Sequence, residues 1–121
     1  MIGYKLFRKM RDGYAPLFIN KRQRLQPGTV YEAEDHPTKG FAHRPGWHIC
    51  SEPIAPHLRQ GGDRVWCKVR FDKLDVIERP LSQGGIWYLG NHMMILEEIK
   101  QPPLYFYPDY LAAAMRDAPT I

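Results

Sequence analysis

Apolar and polar residues alternate in short runs along this chain, and the alternation predicts strands far more than helices. Tyr4-Lys5-Leu6-Phe7-Arg8 alternates, Ala15 to Ile19 reads as a second strand, and Arg11-Asp12-Gly13 between them is a hairpin turn signal. Pro27-Gly28 marks a type II turn that delivers Val30 to Glu34 as a third strand. Trp47-His48-Ile49-Cys50 is a short strand, and Ser51 to Leu58 a helical turn limited by Pro56. Val65, Cys67, Val69 and Phe71 alternate with Trp66, Lys68 and Arg70 in the clearest strand of the sequence. Asp72 to Pro80 reads as irregular and Ser82-Gln83-Gly84-Gly85 as a turn. Ile86 to Leu89 and Met93 to Leu96 then read as two strands joined by a tight turn at Gly90-Asn91-His92. Tyr110 to about Arg116, with three alanines and Asp109 as N-cap, is the one convincing helix.

These elements predict an α+β fold, mainly antiparallel β, with about seven short strands. It would be a compact half-barrel or two small packed sheets with a C-terminal helix. Residues 1–100 form one β-rich domain on this reading, and residues 101–121 an extension of the same unit carrying the short helix. At 121 residues the chain can bury one sizeable core.

Between the third and fourth strands the pattern fails. Glu32 to His48 holds three histidines, Lys39, Arg44, three acids, two Gly and two Pro, which suits neither a helix nor a buried strand. Such a polar loop carried on a scaffold is where function is expected. Charge adds a second asymmetry. The net charge is +4, yet the chain up to Arg24 sets seven Lys and Arg residues against Asp12 alone. Lys5, Arg8, Lys21, Arg22 and Arg24 form the candidate basic face, fit for a nucleotide, a nucleic acid or an acidic protein.

Two cysteines without a Cys-x-x-Cys pair, no leader-like opening and no apolar run near the roughly 20 residues of a spanning helix point to a cytoplasmic protein with reduced thiols and no membrane contact. His36, His43, His48, Cys50 and His57 lie close in sequence, but they match no standard zinc spacing, so no metal ligands are assigned. Cys50 and Cys67 sit in apolar strand contexts and read as core rather than as nucleophiles. Ligand binding is the stronger reading. Lys39 and Arg44 supply cations, Trp47 a stacking face, His48 and His57 hydrogen-bond donors, and Gln83 a polar group on a Gly-rich turn. His48, His57 and Gln83 are also the candidates for any catalysis.

Two resemblances follow from these residues. Pro16 to Asn20, Glu32 to Glu34 with His36 to Ala42, Arg44 to His48, Ala55 to Leu58, Val65-Trp66, and Arg79-Pro80 with Ser82 to Gly85 resemble a group of uncharacterised small proteins of phages and prophages, up to about Ile99. The resemblance implies a phage-type accessory role, such as anti-defence, inside a bacterial host. The order of basic first strand, Gly-Trp-His segment, helical turn, Val-rich strand and Trp-containing hairpin resembles small ADP-ribosyltransferase-like domains. That likeness implies an alternative, an enzyme acting on a nicotinamide dinucleotide (NAD) or a nucleic-acid end. Where such enzymes carry a late acidic residue, this chain has Ser82-Gln83-Gly84-Gly85, with Glu78 before it and Glu97 and Glu98 after. The leading expectation is therefore a binding protein without a cofactor, engaging a nucleotide, a nucleic acid or an acidic host protein.

Overall fold

The computed structural model describes residues 1–18, 20–34, 46–58 and 61–116. An N-terminal hairpin forms, but its second arm is not the predicted Ala15 to Ile19: β1 (Ile2–Met10) folds back on β2 (Gly13–Ala15) with Met10 opposite Gly13, and residues 16–18 have left the sheet. A turn at Gln26–Thr29, closed by the Thr29 N–H donating to Gln26 O at 3.3 Å, leads into β3 (Val30–Glu32). Next come β4 (Trp47–Cys50), β5 (Arg64–Glu78), β6 (Ile86–Ile99) and a helix α1 (Pro108–Arg116).

All pairings are antiparallel. The path β2-β1-β4-β6-β3 is supplemented by β5, which pairs both β1 and β6, so β1, β4, β6 and β5 form a near-ring. The fold is α+β and mainly antiparallel β, as the pattern predicts. β1 is the hub. Its pairing with β5 runs from Ile2↔Arg70 to Arg8↔Arg64, whereas its pairing with β4 is the single bridge Tyr4↔Cys50.

Because side chains alternate across a strand, the four strands of the near-ring feed two apolar clusters. Phe7, Leu25, Trp47, Ile49, Cys67, Val69, Phe71, Met93 and Ile95 form one; Leu6, Leu17, Cys50, Ala55, Trp66 and Trp87 form the other.

Three further local expectations are corrected. The passage from Asp72 to Pro80 is not irregular, since β5 continues to Glu78. Gly90-Asn91-His92 is not a turn, because β6 runs unbroken from Ile86 to Ile99, and so there are six strands among the described residues. Ser51 to Leu58 contains bends and turns but no helix. The cause of the first two is a bulge. The β5–β6 register shifts on either side of Lys73, and there the Asp72 carboxylate takes over from the ladder, accepting from the N–H groups of Asn91 at 2.9 Å and His92 at 2.6 Å. The true β5–β6 connection is a 3-10 turn at Leu81–Gln83 followed by Gly84 and Gly85.

The C-terminal segment lies against the sheet domain. α1 begins at Pro108, so Asp109 stands in its first turn rather than at its cap, and Ala113 is buried. The Tyr110 hydroxyl reaches the turn before β6, where a Cβ on Gly85 would stand 3.0 Å from it.

Candidate functional site

Where β1 and β4 separate beyond Tyr4↔Cys50, Lys5 spans the gap: its Nζ donates to the carbonyl of His48 at 2.8 Å. A cleft of about 310 Å³ opens at this gap, at the lower end of the range for small-molecule sites, about 300–1,000 Å³. Its walls are largely apolar, with Trp47, Trp66 and Trp87 presenting aromatic surface alongside Leu6 and Leu17.

The charged groups give the cleft its character. Lys5 as a whole is half-buried but its ammonium is enclosed, and burial lowers its pKa from 10.5 to about 8, with the neighbouring Cys50 sulfur acting in the opposite direction. That ammonium also stands over the Phe7 ring, 5.9 Å from its centroid, and no carboxylate pairs with it among the described residues. Arg79, also on the cleft, sets its guanidinium over the Trp87 ring at 5.5 Å, again with no ion pair among the described residues. His57 meets the same indole edge-on, 6.0 Å between centroids, and its pKa is lowered by burial and then by Arg79, so that the ring is neutral near pH 7. A carboxylate stands elsewhere on the cleft: Glu34 accepts from Asn20 Nδ2 at 2.9 Å.

The turn before β6 fixes Trp87. Gly84 has φ +95°, and a Cβ there would stand 2.9 Å from Trp87 Nε1 and 3.1 Å from the Ile54 carbonyl, while Trp87 Nε1 itself donates to Gln83 O at 2.7 Å. Gly84→Ala is therefore expected to cost about 2 kcal/mol through left-handed strain and displacement of the indole. A urea titration followed by tryptophan fluorescence reads this; an unchanged midpoint would refute it.

Of the predicted site residues, the structure brings Trp47, His48 and His57 to the cleft. Trp47 is also core, packed with Ile49 and donating its Nε1 to Tyr31 O at 3.1 Å. Gln83 is exposed on the turn and does not line the cleft. Lys39 and Arg44, together with His36 and His43, lie outside the described residues. The proposed basic face is divided. Lys5 turns inward, Arg8 faces Asp63 at 3.4 Å, Arg24 pairs with Asp12 at 2.7 Å, and Lys21 and Arg22 are exposed. The sequence reading gave no role to Arg79, counted Glu34 only as one of three acids in the Glu32 to His48 stretch, and placed Lys5 only on a surface. Their sole sequence signal was charge, since the cleft assembles them from distant strands.

Burial pushes both Cys50 and Cys67 up to about 12, so both thiols are protonated at neutral pH, and both are free rather than bridged. Among the described residues no three His, Cys, Asp or Glu side chains are grouped as a metal site would require. No described helix is long and apolar enough to cross a membrane. Comparisons of the chain with protein-family models, with curated proteins and with solved structures find no match.

Proposed function

We propose that this protein is a binding protein whose cleft takes a nucleotide, with the phosphate at Lys5 and Arg79 and the base against the indoles of Trp66 and Trp87. The observation that carries the reading is the enclosed Lys5 ammonium without a carboxylate among the described residues. A buried cation is costly unless paired, and an anionic ligand group supplies the missing charge. Arg79 offers a second cation with a planar fork suited to phosphate, and His57 a neutral donor. The flat apolar walls favour an aromatic ring over an aliphatic anion. A concave site of this size suits a mononucleotide better than a nucleic-acid backbone or a flat protein surface. The resemblance to small phage proteins sets such binding in an accessory, anti-defence role, where a small binder acts by stoichiometric sequestration.

Calorimetric titration at pH 7 with nucleoside monophosphates, NAD, inorganic phosphate and a short oligonucleotide tests this. One mononucleotide per chain is expected to bind and to quench tryptophan fluorescence, and Arg79→Gln to weaken it about tenfold or more. Binding of the oligonucleotide alone, or of none of these probes, would overturn it.

The alternative is an enzyme of the ADP-ribosyltransferase-like kind acting on a nicotinamide dinucleotide. It draws on the opening of the sheet at the β1–β4 gap and on Glu34, a carboxylate lining the cleft. Release of nicotinamide from NAD by the wild-type protein, lost in Glu34→Gln, would favour it over simple binding.

A further inference from the structure

Lys5 is placed for a second kind of chemistry. Among the described residues it is the only lysine that lines the cleft. Its Nζ donates to the His48 carbonyl at 2.8 Å, a bond that a neutral amine keeps as well as an ammonium does, because either has an N–H to give. No carboxylate among the described residues pairs with it to favour the charged form. Leu6, Leu17, Trp66 and Trp87 make the walls apolar, and burial among such groups favours the uncharged amine. With the pKa lowered to about 8, about a tenth of the Lys5 side chains carry a free lone pair at pH 7. An exposed lysine with an ordinary pKa does so in fewer than about one molecule in a thousand.

A lysine amine freed of its proton in an apolar pocket is a nucleophile for carbonyl carbon. The rest of the cleft selects which carbonyl compound. The Lys5 and Arg79 charges both act on the Cys50 thiol, so the two cations flank the same side chain and one small ligand can meet both. Arg79 suits an anionic group on that ligand. Trp66 and Trp87, the latter fixed by its Nε1 donating to Gln83 O at 2.7 Å, offer flat surface to an aromatic ring.

We infer that Lys5 is a nucleophile that captures an aromatic aldehyde bearing an anionic group as a Schiff base, with Arg79 holding the anion and the indole walls the ring. The Nζ lone pair bonds to the aldehyde carbon while one amine proton passes to the oxygen, giving a carbinolamine. The second amine proton then follows, the C–O bond breaks and the oxygen leaves as water. Amine and aldehyde thus give imine and water, and nothing is oxidised or reduced. The neutral His57 ring on the same cleft has one donor and one acceptor nitrogen with which to relay these protons. This chemistry needs the cleft but not the nucleotide reading proposed above: charged Lys5 meets a phosphate there, and the uncharged minority reacts here.

Pyridoxal 5′-phosphate, an aromatic aldehyde with a phosphate, is the probe. The wild-type protein is incubated with it at pH 7, the imine is fixed with sodium cyanoborohydride, and peptide mapping by mass spectrometry locates the label. Lys5 is expected to be labelled at least about tenfold faster than the exposed Lys21, Lys73 and Lys100. Arg79→Gln should slow labelling of Lys5 about threefold or more and leave that of Lys73 unchanged. Lys5→Arg keeps the charge and should abolish the fast phase, with an unchanged melting temperature showing that the variant is folded. Labelling of Lys5 no faster than that of the exposed lysines in the wild-type protein would overturn the inference, whatever the nucleotide titrations give. Fast labelling of Lys5 that Arg79→Gln leaves untouched would overturn the anionic half of the ligand.

Discussion

Phe7→Ala is expected to destabilise the protein by about 3–5 kcal/mol, the range for deleting a fully buried aromatic ring. Phe7 is 0% exposed, lies in the cluster built around Ile49, Val69 and Ile95, and tilts against Tyr14 with 6.2 Å between ring centroids. Its position matters as much as its burial. β1 is paired to β2, β4 and β5, so a cavity at Phe7 loosens both the hairpin and the near-ring. Domains of this size are stable by about 5–15 kcal/mol, and the loss is about a fifth of that or more. Urea unfolding should show a much lower midpoint with an unchanged slope. Leu74→Ala, at a 61% exposed position on β5, is the control and should change stability by about 0.5 kcal/mol or less. A Phe7→Ala cost below about 1 kcal/mol would mean that the cluster collapses around the cavity and that β1 does not anchor it.

The sequence was legible where one strand face is buried and the other wet. The first half of β5 alternates because Cys67, Val69 and Phe71 face the core, and the N-terminal hairpin is announced by Asp12-Gly13 in the same way. Beyond Phe71 the strand leaves the core. Residues 72 to 76 are all exposed, so Leu74 and Val76 gain nothing from alternating with Lys73 and Asp75, and the period-2 signal vanishes although the hydrogen bonds continue. Gly90 misleads for a different reason. A Cβ there would stand 3.1 Å from the Asp72 carbonyl and 3.2 Å from the Phe71 ring, so the glycine serves a close approach of two strands rather than a turn.

The site was legible only in part. Trp47, His48 and His57 are conspicuous in the sequence and do reach the cleft. Lys5 and Arg79 look like ordinary surface charges and Glu34 is one of three acids in the polar stretch, and only the long-range strand order brings them together. No periodicity carries that information. What distinguishes Lys5 from Lys9 is its counter-charge: Lys9 meets Glu98 at 2.9 Å, whereas the Lys5 ammonium meets a carbonyl.

That difference sets the other large effect. Lys5→Met is expected to stabilise the protein at pH 7 while reducing nucleotide affinity about 30-fold or more. Lowering a lysine from 10.5 to about 8 means that the fold bears about 3 kcal/mol for keeping the ammonium charged. Loss of the hydrogen bond to His48 O gives back about 1 kcal/mol, so the net gain is about 2 kcal/mol. The pH dependence carries the signature. Below about pH 8 the folded and unfolded chains both hold the proton, and the whole cost is present. From about 8 to 10.5 the unfolded chain binds more protons than the folded one, so wild-type stability rises with pH. Cys50 and Cys67 act oppositely. Raised from 9.0 to about 12, they keep their protons in the fold after the unfolded chain has released them, and stability falls above about pH 9. The wild-type protein should thus gain stability between about pH 7.5 and 9 and lose it beyond. The Met variant should lack the rise and keep the fall. Urea midpoints from pH 6 to 10 distinguish the two, and identical profiles would show that the Lys5 ammonium is solvated in solution. A variant that is more stable yet binds more weakly is what a cation held for a ligand predicts, because the cost of burying the charge is recovered only when an anion arrives. If Lys5→Met instead kept full nucleotide affinity, the phosphate pole would reduce to Arg79 and the buried ammonium would be a feature of the strand gap alone.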